Sequence, residues 1–138
     1  MTYFAYRHLV SFEETNLVGN VFYVNHFRWQ GRCREQFLYQ EAPDILNELQ
    51  NGLVLATMEC SCAYFQELSA FDSVELRMYL AETSRNQIEM RFDYIRLGES
   101  ETLAARGSQR IACMRRDQGE TVPVPIPPSL QKALEKYR

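Results

Sequence analysis

The strongest constraint on the fold is the alternation of apolar and polar residues in the second half of the chain. Residues 73–81 and 87–97 each carry an apolar side chain at every second position, which is the period of a strand with one buried face. Residues 83–86 join these two segments, and so short a link favours an antiparallel hairpin. Residues 54–65 and 103–115 predict two further strands, so the pattern as a whole indicates an antiparallel sheet.

A long helical pattern precedes these strands. Over residues 25–39 apolar side chains recur at helical spacing, and Asn25 is predicted to cap the helix. Residues 43–52 predict a short second helix that starts with proline and ends at glycine. Residues 3–15 predict an extended strand, and Ser129 is predicted to cap a short C-terminal helix. This order of elements predicts an α+β fold in which one sheet face packs on the long helix.

The composition is that of one globular domain, predicted to occupy residues 1–138. Hydrophobic residues make up 46% of the chain and charged residues 24%, which excludes a disordered chain. The longest apolar runs have four residues, against about 20 for a membrane-spanning helix, and no signal peptide is recognisable. A cytoplasmic location is therefore expected. The net charge of −3 argues against nucleic acid as the main partner.

The four cysteines do not form a pattern that indicates a metal site or a disulfide framework. Cys60 and Cys62 lack a second ligand pair, and on a strand their side chains face the same way. Cys33 with His26 is disfavoured as a nucleophile pair, because seven residues on one helix separate the two by roughly 10 Å. No metal and no cofactor are predicted.

One segment carries a specific motif. Residues 12–35 contain the sequence FEETNLVGNVFYVNH followed by RWQGRCRE. The motif resembles the 4-hydroxybenzoyl-CoA thioesterase branch of the hotdog superfamily, in which an antiparallel sheet of about five strands wraps a long central helix. Residues 13–21 and 28–35 are more similar still to the thioesterases of enediyne polyketide biosynthesis. The segment RGSQR at 106–110 and the proline-rich tail are also typical of that subfamily.

The resemblance implies a set of catalytic and binding residues. The catalytic aspartate of the wider branch corresponds to Asn16, which cannot ionise, and the enediyne subfamily shares this change of mechanism. The backbone N–H of Tyr23 is the implied oxyanion donor at the start of the long helix, and Gly19 is implied to allow close approach of the substrate. Arg34 is implied to lie beside Asn16, where it stabilises the oxyanion or anchors a β-keto oxygen. Thr57 is the implied hydrogen-bonding group near the thioester.

Two more residues have open roles. His26 near the start of the long helix is predicted to line the substrate channel, and a capping or interface role is equally open. Glu35 is either a general base or, as we favour, the partner of a structural ion pair. Structural alternatives also exist for Asn16, as a turn residue, and for Arg34, as the partner of Glu14 or Glu35.

The activity implied by the resemblance is thioester hydrolysis. The implied substrate is a β-keto polyene on the phosphopantetheine arm of the acyl carrier protein of an iterative enediyne polyketide synthase. The β-keto acid released could lose CO₂ to give a methyl ketone or polyene.

A homo-oligomer, a dimer of dimers by analogy, is expected, with Asn16 facing a neighbouring chain. The alternatives are an acyl-pantetheine binding module, an acyl-CoA thioesterase of primary metabolism, and a dehydratase or hydratase, which would need a proton-transferring pair that the pattern lacks.

Overall fold

The computed structural model describes residues 2–138, which form three α-helices and one six-stranded antiparallel sheet. The strand order is β1-β3-β4-β5-β2, and β6 pairs with β5 outside that path. None of the helices in these residues is long and apolar enough to span a membrane. The elements are β1 (Phe4–Leu9), α1 (Asn25–Glu41), α2 (Pro43–Gln50), β2 (Leu53–Tyr64), β3 (Ser73–Thr83), β4 (Gln87–Leu97), β5 (Thr102–Asp117), β6 (Glu120–Pro123) and α3 (Pro128–Glu135).

The core lies between α1 and one face of the sheet. Trp29, Cys33 and Phe37 on α1 are at most 1% exposed and belong to a single apolar cluster with the sheet. Burial of each large side chain of this kind stabilises the fold by about 1.5–3 kcal/mol. The alternation predicted for β3 and β4 is confirmed, since every second residue is buried. These residues are Val74, Leu76, Met78, Leu80, Ile88, Met90 and Phe92.

The first strand is shorter than the sequence predicts. The extended segment predicted over residues 3–15 ends at Leu9, and Phe12–Glu14 form a 3-10 turn. The turn forms because Glu14 Oε1 accepts the backbone N–H of Ser11 at 2.9 Å. A local side-chain bond of this kind competes with strand pairing, and alternation of residue types does not reveal it.

The predicted helix caps are also wrong. Val24 occupies the cap position of α1, and no side chain caps the helix there. Asn25 is instead the first helical residue, and its Nδ2 donates to the carbonyl of Glu14 at 2.8 Å. At the C-terminal helix, Ser129 lies one residue inside an α3 that begins at Pro128, a residue suited to a first turn.

Proline and glycine mark the ends of two other elements. Pro43 is the first residue of α2, and Gly52, with φ of +102°, follows the end of that helix as predicted. The short strand β6 was not predicted, and it raises the number of strands from about five to six. β6 ends at Pro123 and pairs only with the end of β5, in keeping with the restriction of proline to sheet edges.

Candidate active site

The segment between β1 and α1 forms a tight turn. Asn16 Oδ1 accepts the N–H of Val18 at 3.0 Å, while its Nδ2 donates to Oδ1 of Asn20. Gly19 has φ of +91°, a conformation that favours glycine, and an added Cβ would meet no atom within 4 Å. Within one chain, the turn rather than close contact therefore accounts for Gly19. The predicted turn role of Asn16 is confirmed, and its amide keeps one free hydrogen.

A cavity of about 360 Å³ opens beside this turn. Its wall includes Asn16 from the turn, Tyr23 from just before α1, and His26 from the start of that helix. The opposite wall is formed by residues 64–68, at and just after the end of β2. Three residues that the sequence assigns to the site thus line one cavity.

The segment just before α1 leaves a backbone donor free at Tyr23, a residue that lines this cavity. The N–H of Phe22 bonds to the carbonyl of Glu14, and the N–H of Asn25 bonds to the carbonyl of Phe22. The N–H of Tyr23 between them donates to no acceptor in residues 2–138. Because unpaired N–H groups lie at the positive end of the helix dipole, this position can hold a negatively charged oxygen.

Glu14 holds this region together but is not free to act as a base. Its Oε1 accepts from Ser11 N–H at 2.9 Å and His8 Nε2 at 2.7 Å, and its Oε2 accepts from Trp29 Nε1 at 2.8 Å. Burial alone would raise the pKa of Glu14, but these bonds outweigh it and lower the pKa to about 2. The carboxylate is therefore charged and occupied by three donors.

His26 is a neutral ring in an aromatic surrounding. It is only 4% exposed, and its ring centre lies 4.7–5.4 Å from those of Trp29, Tyr64 and Tyr94. Burial lowers the pKa of His26 to about 4, against the raising effect of the Tyr23 carbonyl. Its Nδ1 has no hydrogen-bond partner within the part of the chain that the structure describes.

Arg34 is held by neutral groups. Its Nη1 donates to Gln109 Oε1 at 2.8 Å and to Thr57 Oγ1 at 3.2 Å. Of the carboxylates in residues 2–138, none forms an ion pair with Arg34, so the alternative of pairing with Glu14 or Glu35 is wrong. Burial is the main influence on this guanidinium and lowers its pKa.

Within one chain, Arg34 and Asn16 line different cavities. Arg34 lies nine residues beyond the first residue of α1, about 14 Å along the helix axis. It lines a narrow apolar crevice between α1, the sheet and α3. The implied position of Arg34 beside Asn16 is thus not reached inside a single chain, because Asn16 lies in the turn before α1 and Arg34 lies near the middle of that helix. The other crevice residues include Phe37, Leu55, Met90, Ile111, Leu130 and Leu134.

The remaining candidates are Glu35 and three cysteines, and none of them lines either cavity. Glu35 is exposed and forms no ion pair with any of residues 2–138, so the favoured prediction of a structural ion pair is wrong. Cys33 is fully buried, and burial raises the pKa of its thiol, so the thiolate form is disfavoured. Cys60 and Cys62 pair with Gln109 and Gly107 of β5, which places both thiols on the same face of β2, as predicted.

Two buried glutamines were missed by the sequence analysis. Gln30 on α1 is 0% exposed and Gln109 on β5 is 4% exposed, and their side chains bond to each other at 3.3 Å. A signal was present, because Gln30 falls on the buried stripe of α1 seven residues before Phe37. Gln109 likewise shares a strand face with Ile111.

The chain is similar to several thioesterases. The profile of the thioesterase-like superfamily matches residues 10–134. The dynemicin thioesterase, whose crystal structures reveal induced-fit and allosteric effects upon polyene binding, is 45% identical with a TM-score of 0.95, over 98% of this chain and 96% of that chain. A curated protein of Aquifex aeolicus (strain VF5), "Putative esterase", is 30% identical over 122 residues, 88% of this chain and 91% of the relative. A mutant 4-hydroxybenzoyl-CoA thioesterase in complex with 4-hydroxybenzoyl-CoA is 16% identical but shares the fold, with a TM-score of 0.83 over 94% and 96% of the two chains.

Proposed function

Since the chain belongs to the thioesterase-like superfamily and is a thioester hydrolase with the hotdog fold, we propose that it releases a β-keto polyene from an acyl carrier protein. The carrier belongs to an iterative enediyne polyketide synthase and holds the polyene on phosphopantetheine. The 45% identity with the dynemicin thioesterase, a polyene-binding protein, supports this substrate class. The β-keto acid product is expected to lose CO₂, giving a methyl ketone or polyene.

The observation that carries this proposal is the free N–H of Tyr23 at a cavity shared with Asn16. A thioester carbonyl is electrophilic and its thiolate leaves readily, so the main catalytic task is to stabilise the oxyanion and position water. The Tyr23 N–H supplies a fixed donor for that oxyanion. The remaining Nδ2 hydrogen of Asn16 orients the water or the carbonyl.

The reaction balances without a carboxylate base. Water forms the new C–O bond as the carbonyl electrons move to oxygen, next to the Tyr23 N–H. Collapse of the tetrahedral intermediate breaks the C–S bond, and the departing thiolate takes the proton that water releases. Asn16 cannot accept that proton, and Glu14 is already bound by three donors. Stabilisation of charge, rather than proton abstraction by a carboxylate, is therefore the proposed source of rate enhancement.

A second copy of the chain supplies the positive charge in this proposal. β2 is a 12-residue edge strand, and an unpaired edge of this length invites pairing. Tyr64 on β2 donates to the carbonyl of Tyr23, whereas Thr57 contacts Arg34. Antiparallel pairing of two β2 strands about Ser61, with the bulged Met58 left out of the register, sets Thr57 of a second copy opposite Tyr64. Arg34 of that copy then faces the cavity of Tyr23, where it stabilises the oxyanion or binds the β-keto oxygen.

The test is release of free thiol from a β-keto acyl thioester loaded on the carrier domain of the synthase. Asn16→Ala and Arg34→Ala are each expected to abolish most of the release. Asn47→Ala and Arg32→Ala are matched controls, because both replace exposed residues that lie outside the proposed site. Thermal melts establish that each variant is folded.

The same assay separates the alternatives. Hydrolysis of the carrier-linked substrate in preference to the same acyl group on coenzyme A supports the polyketide assignment. Equal or faster hydrolysis of the coenzyme A ester would instead favour an acyl-CoA thioesterase. Binding of the loaded carrier without thiol release would replace hydrolysis with the acyl-pantetheine binding module.

A further inference from the structure

A buried chain of amide groups connects the backbone of β2 to Arg34. Gln30 Nε2 donates to the carbonyl of Ser61 at 3.1 Å, and Gln109 Nε2 donates to Gln30 Oε1 at 3.3 Å. Gln109 Oε1 then accepts from Arg34 Nη1 at 2.8 Å. Three elements, β2, α1 and β5, thus contribute to one line of hydrogen bonds.

The carbonyl of Ser61, at the β2 end of this chain, fixes the orientation of both glutamine amides. The carbonyl of Ser61 can only accept, so Gln30 turns its NH₂ group to Ser61 and its oxygen to Gln109. Gln109 must then donate to Gln30 and present its own oxygen to the guanidinium. The opposite orientation would set the NH₂ group of Gln109 against the N–H donors of Arg34, and the Ser61 carbonyl and the Gln30 side-chain oxygen would lose these donors.

The close packing of α1 against the sheet leaves the two glutamine side chains little freedom to move. Gln30 and Gln109 are 0% and 4% exposed. A Cβ on Gly107, beside them on β5, would lie 2.3 Å from Gln30 Nε2 and 2.7 Å from the carbonyl of Ser61. Glycine is therefore required for α1 and β2 to come close enough for the bond between Gln30 and Ser61.

The chemistry of the acceptor is as informative as its geometry. A carboxylate at position 109 would hold the guanidinium equally well, but would also neutralise it. The glutamine amide fixes the guanidinium with a neutral oxygen, and Thr57 adds a neutral hydroxyl. The Nη2 and Nε hydrogens have no acceptor in residues 2–138, so the charge and these donors remain available to a ligand.

We propose that Gln109, oriented by Gln30, is a positioning residue that directs Arg34 towards the substrate without pairing the guanidinium with a carboxylate. The inference rests on the proposed role of Arg34 in hydrolysis and extends it to two residues that do not touch the substrate. It assigns this pair a function in kcat rather than in substrate affinity, because the developing oxyanion gains most from an uncompensated charge.

The test compares Gln109→Glu and Gln109→Met, which keep the length of the side chain, with wild type. Gln109→Glu retains an acceptor for Arg34 but adds a neutralising charge, whereas Gln109→Met removes the acceptor. Each is expected to lower kcat by at least about tenfold, with a much smaller change in KM. Gln36→Glu, at an exposed position of α1, is the matched control and is expected to leave both kcat and KM unchanged.

A double-mutant cycle separates positioning from a structural effect. In an Arg34→Ala background, Gln109→Glu and Gln109→Met are expected to have little further effect on kcat, because the residue acts through Arg34.

Full additivity, or wild-type kcat in both folded single variants, overturns the inference. If Arg34→Ala itself retains full activity, the proposed function of Arg34 has failed. If only Arg34→Ala is impaired, the positioning role alone has failed. If Gln109→Glu does not fold, Gln109→Met carries the test.

Discussion

Arg34 is a cation that the described chain surrounds with neutral oxygens. Gln109 and Thr57 accept its hydrogen bonds, and no carboxylate of residues 2–138 is paired with it. Arg34 is half-buried, and a partly desolvated cation without a paired carboxylate is typical of a group that binds a negative partner. Glu35, the next residue, is exposed and unpaired in the same part of the structure.

These surroundings predict different outcomes for two neighbouring substitutions. Arg34→Ala is expected to lower kcat/KM for thioester hydrolysis by at least about 100-fold, the loss typical of an oxyanion-stabilising group. Glu35→Gln is expected to lower it by less than about threefold, as for a surface change. Steady-state thiol release measures both, and equal losses would show that the roles of the two residues are wrongly assigned.

The lowered pKa of Glu14 predicts that the stability of the fold depends on pH. Its pKa is about 2 in the folded chain against 4.5 ordinarily, so its contribution is complete above pH 4.5 and is lost as the pH falls towards 2. Glu14→Gln is expected to lower the free energy of unfolding at pH 7 by about 2 kcal/mol, because charged hydrogen bonds are lost. Urea unfolding at a series of pH values should show a smaller difference between the two proteins at pH 3 than at pH 7. A difference independent of pH would contradict this role.

At the scale of elements, the closeness of α1 to the sheet depends on a single glycine. An added Cβ at Gly107 would collide with Gln30 and with the backbone of β2. Gly107→Ala is therefore expected to destabilise the fold by about 1–3 kcal/mol, as overpacked cores do, and to lower the melting temperature measured by circular dichroism. Gly31→Ala, on α1 and with open space around its Cβ position, is the control, and a similar loss in both variants would contradict the explanation.

The edge strand β2 gives a second prediction at this scale. Met58 lies at the bulge of β2 and is 56% exposed, although it is a large apolar residue. If two β2 strands pair, Met58→Glu is expected to place a charge in the interface and raise the dissociation constant at least about tenfold. Sedimentation velocity would measure it, with Val122→Glu on β6 as the control at an exposed apolar residue elsewhere. Unchanged association in Met58→Glu would exclude pairing through this part of β2.

The regular elements were predictable because local periodicity and core packing agree in them. The alternation in β3 and β4 and the helical stripe of α1 each correspond to a buried face. Prediction failed where a side chain finds a distant partner. Asn25 bonds to the carbonyl of Glu14 instead of capping α1, and Gln109 meets Gln30 across the core. Such contacts are set by tertiary packing, which the spacing of residue types along a chain does not record.

At the scale of the whole molecule, the two halves of the predicted site are separate. The cavity with Asn16 and Tyr23 is at the start of α1, whereas Arg34 lines the crevice beneath its later turns. An enzyme that needs both must bring them together from two chains. The proposed dimer would do so twice, because a two-fold axis through paired β2 strands would set the cavity of each copy against the Arg34 of the other.

This arrangement predicts complementation between two inactive variants. Asn16→Ala and Arg34→Ala chains, unfolded together and refolded, form mixed dimers in which one site has both native residues and the other has neither. With random pairing, half of the dimers are mixed, so about one quarter of wild-type thiol release should return. If Asn16 and Arg34 instead act within one chain, every site in every dimer lacks one of them. Mixing would then recover nothing, and the assignment of Arg34 to the neighbouring site would be overturned.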